Sequence, residues 1–205
     1  MKTKIRTRNI ALAFLAGLLL VVGGVWWLNS TRSAPESSET VVHAAPVIYA
    51  SFDDAVKQHG TAVLITVVSD PVRYEDFGAD GKPDYAGQPG LPTEHLTVRI
   101  DEVLRGDVAL VGSEITVSQL PKDSGTTLEQ DGYLEKGSQY VIIASAHKPN
   151  PGVGTAAEVW SMPLAGQGIF KVDAAGQVTP FVAGVFPETF GAAGEEVVTT
   201  ADLKG

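Results

Sequence analysis

The sequence contains no cysteine and lacks the usual signatures of several enzyme classes. Without cysteine the chain forms no disulfide, no thiolate metal site, no cysteine nucleophile and no bacterial lipid anchor. No G-x-S-x-G motif is present, which removes the commonest signature of a serine hydrolase. The four histidines, at positions 43, 59, 95 and 147, show no metal-ligand spacing.

Basic residues are scarce outside the amino-terminal segment. The chain of 205 residues carries 15 Lys and Arg against 24 Asp and Glu, a formal charge of −9. Residues 1–28 hold four of the basic residues and no acidic one, so the remainder has a net charge of −13. A body this acidic repels nucleic-acid phosphates, so we expect no nucleic-acid partner, whereas cations or basic partners fit its charge.

A single uncharged apolar run extends from Ile10 to Leu28. As a helix its 19 residues span ~28 Å, which matches the hydrocarbon thickness of a bilayer. Trp26 and Trp27 end the run at the headgroup level, and the basic segment 1–9 precedes it. The positive-inside rule therefore predicts a single-pass membrane helix with its amino end in the cytoplasm. The alternative is a cleaved signal peptide, whose apolar region is usually shorter.

Residues 29–46 are rich in Ser, Thr, Glu, Pro and Ala. Such a composition buries little surface and predicts a flexible linker. Residues 47–205 then form one domain, large enough for a hydrophobic core. The sequence thus predicts a cell-membrane protein whose carboxy-terminal domain lies outside the cytoplasm.

The domain shows one short helical segment, 51–59, with Ser51 as its N-cap and Gly60 as its stop. Apolar alternation or β-branched runs predict strands at 61–69, 94–107, 113–119 and 139–146, and a hairpin from 168–173 and 177–182. Alternation in the second strand fails near Asp101–Glu102, which predicts a one-residue bulge there. We therefore expect a mainly β domain, either a small antiparallel barrel or a sandwich. Six scattered aromatic residues are expected in its core, with a stacking platform as the alternative: Tyr133, Tyr140, Trp160, Phe170, Phe181 and Phe186.

The order of these strands resembles a pattern found in exported, uncharacterised bacterial proteins. The segments that carry the resemblance are TEHLTVRIDEVLRGD, GSEITVSQ, YLEKGSQYVIIASA and GQGIFKVDAAGQVTP, across roughly residues 60–182. The matching positions are Val103, Leu104, Arg105, Gly106, Asp107, Gly137, Tyr140, Gly168 and Phe170, with Arg105 in place of the usual lysine. The resemblance implies an OB-like barrel and brings no known activity.

Three carboxylates, Asp76, Asp80 and Asp84, lie in the segment YEDFGADGKPDYAG. Oxygen ligands at short spacing around glycine suit Ca²⁺, but this spacing differs from that of an EF-hand and no bidentate Glu follows. The alternative is an exposed acidic loop with turns at Asp80–Gly81 and Pro83. We expect a structureless loop from about Asp70 to Pro92 and take it as the recognition surface.

A second glycine-rich stretch, Gly152-x-Gly154-x-x-Ala157, imitates a dinucleotide fingerprint. Pro149 and Pro151 precede it and no helix can follow, so we interpret it as a loop between strands and predict no cofactor.

These patterns favour a non-enzymatic, membrane-tethered domain that binds a protein, an envelope component or a cation. One alternative is an extracellular hydrolase with two facing carboxylates, which a sequence cannot reveal. The other is a domain stabilised by Ca²⁺.

Overall fold

The computed structural model describes residues 48–122, 132–163, 167–182, 184–191 and 196–205. The predicted cytoplasmic segment 1–9, membrane helix 10–28 and linker 29–46 lie outside these residues. Within the described ranges, no helix is long and apolar enough to cross a bilayer. The described part of the chain is mainly β, as predicted.

The described residues form two short helices, one 3₁₀ turn and nine strands. They are α1 (Phe52–His59), β1 (Thr61–Val67), β2 (Val72–Asp76), β3 (Leu91–Arg105), a 3₁₀ turn (Val108–Leu110), β4 (Glu114–Gln119), β5 (Gln139–His147), β6 (Val159–Ser161), β7 (Ile169–Val172), β8 (Gln177–Pro180), α2 (Pro187–Phe190) and β9 (Val198–Thr199). The predicted helix, strands and hairpin are confirmed, with ends displaced by a few residues. Strands β2, β6 and β9 and the single-turn α2 were not predicted from the sequence.

Helix α1 begins and ends where the sequence predicts. The Ser51 side chain accepts a hydrogen bond from the backbone N–H of Asp54, and this cap satisfies one free donor of the first turn. Gly60 adopts a left-handed conformation at the carboxy end, which a residue with a Cβ atom disfavours. Phe52 and Ala55 on one face are buried and fix the helix against the sheet.

Five strands pair in a closed ring. β1 pairs antiparallel with both β3 and β5, and β3 pairs antiparallel with β4. β4 pairs in parallel with β6, and β6 pairs antiparallel with β5, so that the hydrogen-bonded ladder returns to β1. β2 adds to the first half of β3, while β7, β8 and β9 extend from β5.

The bulge predicted in β3 is confirmed. Leu64 lies opposite Glu102 and Ile65 lies opposite Ile100, which leaves Asp101 as the extra residue. The Asp101 carboxylate accepts hydrogen bonds from Thr66 at 2.5 Å and Arg99 at 2.8 Å. Partial burial alone would raise the pKa of Asp101, but these bonds and one from Gln139 outweigh it and lower the pKa. The bulged residue is therefore held as a carboxylate.

β1 and β5 are apolar on both faces because each face is covered. One face contributes to a cluster that joins all five ring strands, with Val63, Ile65 and Ile142 among its members. The other face packs with α1, α2 and the β7–β9 strands in a second cluster that includes Ala62 and Ile143. Burial on both sides explains the uninterrupted apolar runs of these two strands.

Candidate functional site

A cavity of about 250 Å³ lies beside β3 and β4. Its walls are mainly apolar, with a smaller number of polar groups. The residues that line it are Asp76, Leu91, Thr93, His95, Ser118, Gln119, Leu120, His147, Pro149, Asn150, Val153, Val159, Ser161, Met162, Pro163 and Ile169. An apolar hollow with a few convergent polar groups is typical of a small-molecule site.

Strand register gathers three polar side chains along one wall. His95 of β3 lies opposite Ser118 of β4, and Ser118 lies opposite Ser161 of β6. Residues in register on neighbouring strands point to the same face and lie about 5 Å apart. The cavity therefore has a row of one imidazole and two hydroxyls, contributed by three strands that are distant in sequence.

The carboxylate of Asp76 lines the cavity and is held from two sides. It accepts a hydrogen bond from the backbone N–H of Gly78 at 2.8 Å. The amide nitrogen of Asn150 lies 3.0 Å from each carboxylate oxygen. Because Asp76 ends β2 and Asn150 lies in the β5–β6 loop, this contact joins two segments that are 74 residues apart.

His95 is 7% exposed and its ring lies 5.0 Å from that of Tyr74. Burial lowers the pKa of the His95 imidazole; the nearby Asp76 carboxylate opposes this shift and His147 adds to it. The imidazole is therefore neutral at neutral pH and offers one acceptor and one donor.

The β5–β6 loop covers the cavity by close backbone approach to β3. A Cβ atom on Gly154 would lie 2.8 Å from Nδ1 of His95, and Gly154 has a positive φ of 74°. Both facts require glycine at this position. The stretch 152–157 is thus a loop between two strands, as the sequence analysis interpreted it.

The structure separates the three aspartates considered for calcium. Asp76 lines the cavity, whereas the Asp80 carboxylate accepts from the backbone N–H of Lys82 in a local turn. The backbone N–H of Asp84 donates to the side chain of Gln88. Among the described residues, no three His, Asp or Glu side chains group closely enough to hold a metal ion.

The interpretation of 70–92 as a structureless loop is wrong. Residues 72–76 form β2, which pairs with the first residues of β3, and β3 itself begins at Leu91. The strand was missed because its five residues, VRYED, carry three charges and lie on the edge of the sheet. The remaining segment, 77–90, connects the two strands.

A second hollow, of about 230 Å³, lies near the start of β5. It is lined by Lys122, Tyr133, Glu135, Ser138, Tyr140, Lys171 and Phe181. Lys122 pairs with Glu135 at 2.5 Å and lies over the ring of Tyr133. The hydrogen bond between them raises the pKa of Lys122 and lowers that of Glu135. Both side chains are well exposed, so this pair adds little stability.

Most of the six aromatic residues expected in the core are there. Tyr140, Trp160, Phe170 and Phe186 are buried, which confirms the prediction for these four. Phe181 is 38% exposed and stacks on Tyr140 at the edge of the second hollow, and Tyr133 is partly exposed. The prediction is therefore wrong for Phe181 and Tyr133.

Of the polar residues that line the cavity, Asp76 was predicted from the sequence as a site residue and the others were not. His95, His147 and Asn150 stand alone in sequence, and each meets its partners only through strand pairing or loop contact. No local spacing could have signalled them.

In the comparisons with known proteins, no family model, no curated protein and no solved structure matches this chain.

Proposed function

We propose that this chain is a membrane-tethered, extracytoplasmic and non-enzymatic binding domain, and that the cavity beside β3 and β4 is its ligand site. The observation that carries the proposal is the composition of the cavity wall. Apolar side chains supply most of the surface, and Asp76, His95 and the two serines are among the polar groups that line it. This is the arrangement by which proteins bind small ligands and fix their orientation.

The order of the ring strands supports an OB-like barrel. In chain order the five ring strands are β1, β3, β4, β5 and β6. Around the ring, β1 is followed by β3, β4, β6 and β5, and β5 pairs again with β1. The fifth strand along the chain therefore lies between the third and the fourth. An OB-fold is a five-stranded Greek-key barrel whose second and third strands, with the loops after the first and fourth strands, form the binding face. The cavity lies on the corresponding strands, β3 and β4, under the β5–β6 loop.

The carboxylate content of the cavity favours a binder over a glycosidase-type hydrolase. Such a hydrolase needs two carboxyl groups that face each other across the substrate. Of the described residues lining the cavity, Asp76 alone carries a carboxylate. Glu94, which precedes His95 on β3, is buried. Its carboxylate accepts hydrogen bonds from Arg73 at 3.0 Å and from Gln119 at 3.2 Å.

A pair of matched substitutions tests the site. Ser118→Phe places a large side chain in the cavity, whereas Thr116→Phe makes the same change two residues earlier on the same face of β4, outside the cavity. In a ligand-observed NMR screen of small amphiphilic molecules against the full chain in lipid nanodiscs, we expect Ser118→Phe to abolish binding and Thr116→Phe to retain it. Equal binding by the two variants would contradict the assignment of the site.

Two further measurements separate the alternatives. Turnover of ester, peptide or glycoside substrates by the purified chain would replace the proposal with a hydrolase. A rise of the thermal midpoint on addition of calcium, reversed by a chelator, would support the calcium-stabilised domain instead.

A further inference from the structure

We propose that the cavity recognises a primary ammonium group carried on a short aliphatic chain. This inference rests on the proposed function and adds the chemical class of the ligand. Its starting point is the charge of the wall: the described lining residues include one carboxylate, that of Asp76, and no lysine or arginine. An anionic ligand would meet this carboxylate without a compensating cation, whereas a cationic ligand would be attracted to it.

Asp76 is oriented before any ligand arrives. Its donors, the Gly78 N–H and the Asn150 amide, come from two different loops and fix the plane of the carboxylate. A carboxylate has about four lone-pair positions, so these two donors leave acceptor capacity for another N–H group. Because the acceptor is already held, binding an ammonium costs little ordering of the protein.

His95 does not cancel the charge of Asp76 at neutral pH. His95 is kept neutral by burial, and its Coulomb interactions run to Asp76 and to His147. The hydroxyls of Ser118 and Ser161 and the neutral imidazole also line the cavity, and they add hydrogen-bond acceptors and no positive charge.

Size and wall chemistry limit the rest of the ligand. About 250 Å³ is at or below the lower end for small-molecule sites, so the cavity accommodates a short chain rather than a large ring system. The apolar walls include Leu91, Leu120, Val153, Val159, Met162 and Ile169. Methylene groups packed there leave water, while the ammonium faces Asp76. A free alkylamine and a lysine side chain share this chemistry.

Three probes with the same carbon chain test the inference: pentylamine, pentanamide and pentanoate. We measure their dissociation constants by NMR titration at pH 7.5, with the full chain in phosphatidylcholine nanodiscs and empty nanodiscs as the blank. A charged hydrogen bond typically exceeds a neutral one, so we expect pentylamine to bind about tenfold tighter than pentanamide, and pentanoate weakest. Nα-acetyl-lysine N-methylamide tests whether a lysine side chain on a peptide is accepted as well.

Asp76→Asn should abolish the preference for the amine while retaining the binding of pentanamide, which also shows that the variant is folded. Asp84→Asn removes the same charge from the connection that follows β2, outside the cavity, and should leave the preference intact. Equal binding of the three probes by the native chain, or tighter binding of pentanoate, overturns the inference and leaves the proposed function standing. Binding of none of them also overturns the inference, and the screen with the matched Ser118→Phe and Thr116→Phe variants then decides the proposed function.

Discussion

The imidazole of His95 lies almost out of solvent on β3, against Tyr74 and beneath the β5–β6 loop. Burial penalises its charged form, so its pKa in the folded chain is below the ordinary value of 6.5 that applies to the unfolded chain. As the pH falls below 6.5, the unfolded chain takes up a proton that the folded chain does not. The contribution of the neutral His95 to the free energy of unfolding is therefore fully present above pH 6.5. It is lost as the pH falls through the pKa of His95 in the folded state.

We expect the thermal midpoint of the chain to fall between pH 7.5 and pH 5.5, and to fall less in His95→Gln. Burial also lowers the pKa of His59, so the variant should keep part of the loss. Differential scanning fluorimetry at several pH values measures both midpoints. An identical loss in the variant and the native chain would show that His95 makes no contribution.

At the scale of single residues, the sequence indicated some of the important positions but not the residues that they contact. Ser51 and Gly60 were assigned correctly because a helix cap depends on neighbours within a few positions. Asp76 was singled out for its spacing to Asp80, yet its partner is Asn150, on a distant loop. His95 and Ser118 gave no signal, because their proximity is created by the pairing of β3 with β4.

At the scale of the elements, the β5–β6 loop depends on glycine at one backbone position. Gly154 combines a left-handed conformation with a 2.8 Å approach of its would-be Cβ to His95, whereas Gly152 in the same loop has φ of 84° and open space around it. Alanine at Gly152 therefore costs only the backbone strain, about 1–2 kcal/mol. Alanine at Gly154 adds a clash with a buried ring.

We expect Gly154→Ala to destabilise the chain by about 1 kcal/mol or more beyond Gly152→Ala, since overpacking typically costs 1–3 kcal/mol. Urea denaturation followed by tryptophan fluorescence gives both free energies of unfolding. If the two variants were equally stable, the loop would not press on His95 as described.

Element prediction succeeded where one face or both faces of a strand meet the core. β1 and β5 showed as apolar runs and β4 as an alternation, and the parity break in β3 correctly indicated its bulge. β6 and β9, of three and two residues, are too short to show a period. β2 is an edge strand, and its charged residues give it a composition typical of a loop.

At the scale of the whole molecule, the closure of the strand ring could not be read from the sequence. Barrel and sandwich remained alternatives because a period-two pattern shows which face is buried and not which strands are neighbours. Pairings such as β4 with β6 join segments about 40 residues apart, and no local pattern encodes them.

The topology predicted for the full chain has its own test. Expressed in bacteria, the intact chain should stay in the membrane fraction through an alkaline carbonate wash, because residues 10–28 provide a bilayer-length apolar run. Protease added to spheroplasts should degrade the acidic domain. Replacing Lys2, Lys4, Arg6 and Arg8 by Gln should randomise this orientation. A shorter, soluble product would point to signal cleavage, and full protection of the domain would contradict the orientation.

The position of β2 at the edge of the sheet bears on how crowded copies of this domain behave. Within the described residues the strand partner of β2 is β3 alone, which makes β2 an edge strand. Such an edge can template aggregation, and exposed charges at Arg73 and Glu75 oppose it, together with the acidic surface as a whole. As the pH falls toward the sequence pI of about 4.8, the net negative charge and with it this mutual repulsion decrease. Clustering of neighbouring copies should then begin at this strand before the fold itself is lost.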